Sequence, residues 1–234
     1  MEVIRAFVAK IIFVTGTDTG VGKTVLTGLL LMHLRQNKIH ALAMKPFCSG
    51  GREDVNILQK LQPGELSDEE MNPFYFHEPL SPYAASKKAK TEITLDGVVG
   101  KIGRLNARCE VLLIEGAGGV MVPLGENFLI RDLIIRLRAK VLIAGTNKLG
   151  IINHALLTIL ALDPVTQKPS TLVLMSPAKN DFSAHSNEKT LRKFSSCTNV
   201  FILPFLGKDL LRRLRSFANQ KKIKKTLAAI IGSV

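Results

Sequence analysis

The sequence predicts an α/β fold: a single domain whose sheet is doubly wound and mostly parallel. Three observations predict it. Short continuous apolar runs alternate with longer helical stretches, the first run opens through a glycine-rich loop into a helix, and 234 residues suit one domain, 1–234. In order, residues 11–15, 40–45, 111–115, 140–144, 171–175 and 200–203 read as strands, and their unbroken apolar character suggests burial on both faces. Residues 23–36, 94–105, 128–137 and 151–162 have helical length and pattern. Such alternation implies crossover helices on both sides of a parallel sheet. Residues 62–82 carry Pro63, Pro73, Pro79 and Pro82 and read as a surface excursion.

Composition excludes several classes. With 46% hydrophobic residues, 18 Gly and 10 Pro, the chain is neither disordered nor collagen-like. No apolar run approaches the roughly 18 residues of a membrane span. Glu2, Arg5 and Lys10 interrupt the N-terminal segment where a signal peptide needs an unbroken apolar stretch, so secretion is not expected. Cys48, Cys109 and Cys197 are odd in number and widely spaced, which argues against disulfides and zinc and fits a reducing cytoplasm.

A formal net charge of +13 favours phosphate-bearing partners. Part of it is local: Lys208, Arg212, Arg213, Arg215, Lys221, Lys222, Lys224 and Lys225 stand against Asp209 alone. Leu210, Leu211, Leu214 and Phe217 recur at helical spacing, which predicts one amphipathic C-terminal helix with a solvated basic face. Nucleic-acid or membrane-surface binding is the alternative use of that face.

Ligands of such sheets bind beyond the strands' carboxyl ends. After the first strand stands GTDTGVGKT, residues 16–24, whose glycines let backbone N–H groups turn around phosphate oxygens. Lys23 supplies a cation and Thr24 a hydroxyl for Mg²⁺, so the loop reads as a phosphate loop for a nucleoside triphosphate. It departs from the strict pattern in having Thr17 where glycine is usual, with Gly16 one place early. Pro46 makes Lys45 the last residue of the second strand, its ammonium at the sheet's carboxyl edge. Asp54 precedes a helical stretch, residues 55–61, and reads equally as an N-cap or a magnesium ligand. Glu115 ends a buried strand, where an unpaired carboxylate is costly, so it calls for a metal or water partner. Thr24, Asp54 and Glu115 form an oxygen-only set suited to Mg²⁺ beside phosphates.

The ordered set GTDTGVGKT, Lys45-Pro46 with Ser49-Gly50, EGAGG at 115–119 with Pro123-Leu124, and LGIINH at 149–154 resembles the dethiobiotin synthase family. The resemblance covers about residues 10–165 and implies an ATP-dependent ligase of biotin biosynthesis. In that family 7,8-diaminononanoate and CO₂ form a carbamate, ATP phosphorylates it to a mixed anhydride, and the second amine closes a ureido ring. Carried over, Lys45 matches the catalytic lysine, with Lys23 and Thr19 of the loop beside the reacting groups. Gly20, Val21, Gly22, Lys23, Thr24, Val25, Asp54, Glu115, Gly116, Ala117 and Gly118 match the nucleotide and magnesium positions, and Pro204, Phe205 and Leu206 the later nucleotide wall. Ser49 matches a substrate-contacting serine, and Gly20 stands where some members have glutamate. An adenine-reading Asn usually follows the fifth strand, but Ser176-Pro177 stands here, with Asn180-Asp181 later.

The free N–H groups of Ile151, Ile152 and Asn153, after Gly150, read either as an ordinary helix start with Asn153 exposed or as an anion site suited to a carboxylate. By resemblance that segment comes from a partner subunit, so a homodimer with shared sites is expected, alongside small-molecule substrates and no membrane. Two rivals share the fold. Amidotransferase-type ligases need a glutaminase domain for which 234 residues leave no room, and partitioning or division switch ATPases usually carry a signature lysine where Asp18 stands.

Overall fold

The computed structural model describes residues 9–166, 170–179, 181–195, 199–207 and 210–234. The chain begins with β1 (Lys10–Gly16), α1 (Lys23–Gln36), β2 (Ala41–Met44), β3 (Phe47–Ser49) and α2 (Glu53–Leu61). It continues with α3 (Asp68–Met71), β4 (Phe74–Phe76), α4 (Pro82–Lys88) and α5 (Leu95–Asn106), then β5 (Val111–Gly119). A short hairpin, β6 (Pro123–Gly125) and β7 (Phe128–Leu129), leads into α6 (Ile130–Arg136), β8 (Lys140–Thr146), α7 (Ile151–Thr166) and β9 (Thr171–Met175). The last elements are a 3₁₀ turn (Phe182–His185), α8 (Asn187–Phe194), β10 (Asn199–Leu203), α9 (Leu210–Phe217) and α10 (Lys221–Gly232).

Six strands make one sheet in the order β10-β9-β8-β1-β5-β2, parallel throughout. The chain leaves β1 toward β2 and β5 on one side and later fills β8, β9 and β10 on the other, so β1 ends at the topological switch point. Helices α1, α2, α9 and α10 share one covering layer, and α5, α6, α7 and α8 the other. Ile12, Val14, Leu113, Ile114, Leu142, Ile143, Leu172 and Leu174 are wholly buried between the layers. Burying each such side chain contributes about 1.5–3 kcal/mol, which suits the unbroken apolar runs of the central strands. At the edge, Gln62 substitutes for a seventh strand: its side chain accepts from Ala43 N at 3.0 Å and donates to Ala43 O at 2.5 Å.

Five expectations are corrected. β5 does not end at Glu115, which lies at its middle, because the strand runs on beside β1 until Gly119 pairs with Gly16. The helix expected from residue 128 starts at Ile130, because residues 123–129 turn back as a hairpin and Asp132 accepts from Leu129 N at 2.7 Å. The single C-terminal helix is two, with a turn over residues 218–220. One straight helix could not lay both Leu214 on α1 and Ile223, Leu227 and Ile230 on the core; all four are buried, while Arg212, Arg213, Lys221, Lys222, Lys224 and Lys225 are exposed. The excursion of residues 62–82 carries α3 and β4, and β4 pairs with β3 in parallel, with Phe47 and Phe74 stacked at 4.9 Å. Finally, β2 stops at Met44, because Lys45 N turns to Met71 O at 3.0 Å.

Cys48 and Cys109 are free and buried. Cys197, Lys208, Asp209 and residues 1–8 lie outside the described residues, as do the side chains of Leu210, Arg215 and Phe217. Among the described residues no helix is long and apolar enough to cross a membrane.

Candidate active site

The loop after β1 folds as its glycines require. Gly20 and Gly22 hold φ of 72° and 97°, the left-handed region where side chains are strained. Gly16 is needed for space: a Cβ there would sit 2.8 Å from Val21 Cγ2 and 2.9 Å from Asp18 O. Thr17 continues the backbone pairing beside β8, its N–H donating to Ala144 O at 2.9 Å, and its side chain lies at ordinary contact distance from Gly145. The departure at residue 17 therefore leaves the loop's course intact. α1 follows without a side-chain cap, so its first-turn N–H groups have no partner within the helix.

Three chain segments then converge on this helix start. Thr24 Oγ1 donates to Glu115 Oε1 at 2.8 Å. Lys45 Nζ donates to Glu115 Oε1 at 2.6 Å and to Asp54 Oδ2 at 2.7 Å. Lys23 Nζ donates to Asp18 O at 2.8 Å and lines the same cavity. Asp54 lies inside the first turn of α2 and does not cap it, which removes the N-cap reading. Asn72 holds Lys45 from behind, donating from Nδ2 to Lys45 O at 2.8 Å.

Burial sets the electrostatics. Glu115 is wholly buried and the Lys45 side chain only 7% exposed, while that of Asp54 is 46% exposed. Burial works against the Lys45 ammonium, but Glu115 and Asp54 outweigh it and hold its pKa above the usual lysine value. Asp54 is likewise driven up by burial and pulled further down by Lys45, ending below the usual carboxylate range. Burial pushes the Glu115 carboxyl up against the pull of Lys45. Lys23 falls to about 8, through burial first and then the charge of Lys45.

These groups line a cavity of about 700 Å³ together with Thr19, Gly20, Gly22, Val25, Ser49, Ala117 and Gly118. Val21 and Gly116 are not part of its lining: Val21 Cγ2 is 2.8 Å from where a Cβ of Gly16 would stand, and Phe13 Cε1 2.8 Å from where a Cβ of Gly116 would stand. The far wall is Pro79, Leu80, Ser81 and Pro82, which sequence reasoning left in the surface excursion. The two prolines were the available signal, since they stiffen a segment that must hold its shape without regular structure. Asn72 was missed as well, because nothing local distinguishes it from a turn residue. A second cavity of about 580 Å³, between α4 and the β6–β7 hairpin, contains none of the expected site residues.

Other expected residues stand apart. Pro204, Phe205 and Leu206 and the Gly150–Asn153 segment do not line this cavity. Ser176 follows β9, whose Met175 packs under Gly22, with 3.1 Å from Met175 Cγ to an added Cβ, so the segment runs beside the phosphate loop. Asn180 lies outside the described residues, and Asp181 accepts from Leu149 N at 2.8 Å and from Ser183 N at 2.9 Å. The expected anion site is smaller than its sequence implied, because Ile151 N donates to Lys148 O at 3.1 Å. Gly150, at φ 92°, makes this turn possible, and Asn153 is exposed.

Among the described residues no cluster of three His, Cys, Asp or Glu is placed for a metal. A hydroxyl and two carboxylates remain, and they fit Mg²⁺: Glu115 Oε2 is buried without any hydrogen-bond partner, beside Thr24 and Asp54.

Fold and site together define a nucleotide-binding protein of the phosphate-loop class, and a family model described as an AAA domain matches residues 10–208. The ATP-dependent dethiobiotin synthetases of Methanococcus vannielii and Methanocaldococcus jannaschii are each 40% identical over 63% of this chain and cover 70% and 71% of their own lengths. The chain belongs to the family of ATP-dependent dethiobiotin synthetases. The synthetase of Bacillus subtilis strain 168 is also 40% identical, over 63% of this chain and 66% of its own, so the match spans just under two thirds of that relative. Among solved structures, the MinD cell division protein of Aquifex aeolicus aligns with a TM-score of 0.59 at 14% identity, covering 97% of this chain and 98% of its own. The pNOB8 ParA structure bound to nonspecific DNA gives 0.56 at 15%, with 97% of both chains covered. At such identities only the fold is shared.

Proposed function

We propose that the chain closes the ureido ring of dethiobiotin, joining 7,8-diaminononanoate and CO₂ at the expense of ATP in biotin biosynthesis. The observation that carries this reading is the meeting of Lys23, Lys45, Thr24, Asp54 and Glu115 in one cavity at the mouth of the phosphate loop. Family membership supports the substrate class.

Two anions must approach each other in such a reaction, so cations held in place before they arrive lower the barrier. One amine nitrogen attacks CO₂ and loses a proton, giving a carbamate. A carbamate oxygen then attacks the γ-phosphorus of ATP and ADP leaves. The second amine attacks the carbamoyl carbon and loses a proton, phosphate departs, and the ring is closed. In this reading Lys23 and the first-turn N–H groups of α1 bind the phosphates, and Lys45 with Thr19 and Ser49 orients the carbamate. Thr24, Asp54 and Glu115 would hold Mg²⁺, which supplies charge neutralisation at the phosphate oxygens when bound.

The Gly150–Asn153 segment has no place in the cavity of its own chain, and Leu149, Leu157 and Leu160 beside it are 79%, 59% and 67% exposed. These features support a homodimer in which that segment serves the partner's cavity and receives the substrate's carboxylate. The test is to supply diaminononanoate, bicarbonate, ATP and Mg²⁺ and to follow dethiobiotin by mass spectrometry alongside ADP. Equal amounts of both support the reading; ATP hydrolysis without the ring product overturns it.

A further inference from the structure

We propose that in the metal-free protein the Lys45 ammonium occupies the place a divalent cation takes, so that metal entry and the release of Lys45 toward the reacting groups are a single linked event. The inference rests on the reading of Thr24, Asp54 and Glu115 as the metal's ligands.

Lys45 Nζ stands 2.7 Å from Asp54 Oδ2 and 2.6 Å from Glu115 Oε1. Two carboxylate oxygens from different elements thus converge on one point, and a cation already sits there. Mg²⁺ takes oxygen ligands at about 2.0–2.1 Å, so the same two oxygens would meet it after closing by roughly half an ångström each. Thr24 Oγ1, 2.8 Å from that same Glu115 oxygen, stands alongside as the third ligand. Two cations cannot share this point.

The displaced ammonium has somewhere to go. Lys45 follows the last residue of β2, its flexible stem ends in the cavity that holds Lys23 and Ser49, and its backbone is pinned by Asn72 and Met71. Only the side chain need swing. Linkage then requires reciprocity: Lys45 weakens metal binding by the same factor that the metal weakens the hold of the carboxylates on Lys45. A catalytic cation arranged this way reaches the reacting groups only after the metal is in place.

The rival arrangement leaves Lys45 where it is and seats the metal on Glu115 Oε2, the buried oxygen without a hydrogen-bond partner. Binding of Mn²⁺ alone, followed through the electron paramagnetic resonance signal of the free ion, tests the coupling, and a crystal structure of wild type with Mn²⁺ separates the two arrangements, because loss of a neighbouring positive charge favours the metal in either. Wild type, Lys45→Met, Lys45→Arg and Asp54→Asn are compared. Couplings of this kind are usually about 5–150-fold, so Lys45→Met should bind Mn²⁺ at least about tenfold more tightly, whereas Lys45→Arg should gain nothing and Asp54→Asn should lose affinity. Unchanged or weaker binding by Lys45→Met, with Asp54→Asn still impaired, overturns the linkage and leaves the ligand set standing. Unaltered binding by Asp54→Asn overturns the ligand set itself and the inference with it. In that crystal structure the position of Lys45 decides, whether or not Lys45→Met folds. Lys45 Nζ beyond about 3.5 Å from both oxygens supports the linkage, and Nζ still bridging them refutes it.

Discussion

Thr24 and Glu115, 91 residues apart, are joined by a buried hydrogen bond of 2.8 Å between Thr24 Oγ1 and Glu115 Oε1. The bond ties the first turn of α1 to the middle of β5, the strand beside β1. The Thr24 hydroxyl is thereby oriented by the carboxylate proposed to share a metal with it. Because both groups are buried, an alteration at either one is felt at the other.

Lys45→Ala should lower kcat by about 10²–10³-fold, the usual cost of removing one donor to a developing anion, while ADP still binds to the intact loop. Lys45→Arg should not rescue fully, since a planar fork does not replace a compact point charge facing the carbamate. Turnover with purified variants and ADP calorimetry check this pair; wild-type ring closure by Lys45→Ala would refute the assignment.

Glu115→Gln keeps the shape and the acceptor for Thr24 but removes the charge. The Mg²⁺ concentration needed for half-maximal rate should rise at least about tenfold, within the range reported for altered metal surroundings. The metal-free melting temperature should fall less, because Lys45 keeps Asp54 as its partner. A large drop in melting temperature with an unmoved magnesium curve would make Glu115 purely structural.

Cys109 offers a pH test away from the site. Its thiol is pushed up to about 11, by burial first and against the opposing Leu42 hydrogen bond and Arg108 charge. As pH rises past the ordinary thiol value the unfolded chain loses the proton first, so stability should decline between that value and about 11, then level off for this group. Melting temperature against pH should slope downward there, and less steeply in Cys109→Ala; identical slopes would remove Cys109 as the cause.

Base selectivity should be relaxed. Ser176 and Pro177 offer fewer adenine-reading groups than Asn would, and a missing hydrogen-bonding side chain admits another base without leaving a buried group unpaired. Asp181 is already engaged by Leu149 N and Ser183 N. Comparable kcat/KM for ATP, CTP and GTP, within about tenfold, is expected. Strict preference for ATP would assign base reading to backbone groups or to Asn180.

Mixing Lys45→Ala with Gly150→Trp should restore activity. In a freely exchanging equal mixture half of the dimers are mixed and each has one intact composite site, so recovery should approach about a quarter of wild type. Gly150 sits at φ 92° with nothing near its absent Cβ, so the indole disturbs the turn and the surface beside it. Full subunit exchange without recovered activity, or an active monomer in sedimentation, would defeat the shared site.

Much of this architecture was legible in the chain itself. α1 runs over Lys23–Gln36 and β9 over Thr171–Met175, as local pattern indicates, because a glycine-rich start and continuous apolar runs act within a few residues. Lys23, Thr24 and Lys45 were identifiable for the same reason, each directly following a strand or the loop after one, and Glu115 stood out as a carboxylate within an apolar run, although β5 continues past it to Gly119. What the chain could not express locally was who meets whom. The bridging of Asp54 and Glu115 by Lys45, the clamp of Asn72 on Lys45, and the wall built by Pro79–Pro82 join positions far apart in sequence. The break at residues 218–220 belongs with them, since only the shape of the core determines where one amphipathic run must turn. Periodicity and turn chemistry are properties of neighbours along the chain. Long-range charge pairing and packing depend on the crossover connections that bring strands β1, β2 and β5 side by side, and only the tertiary structure decides those.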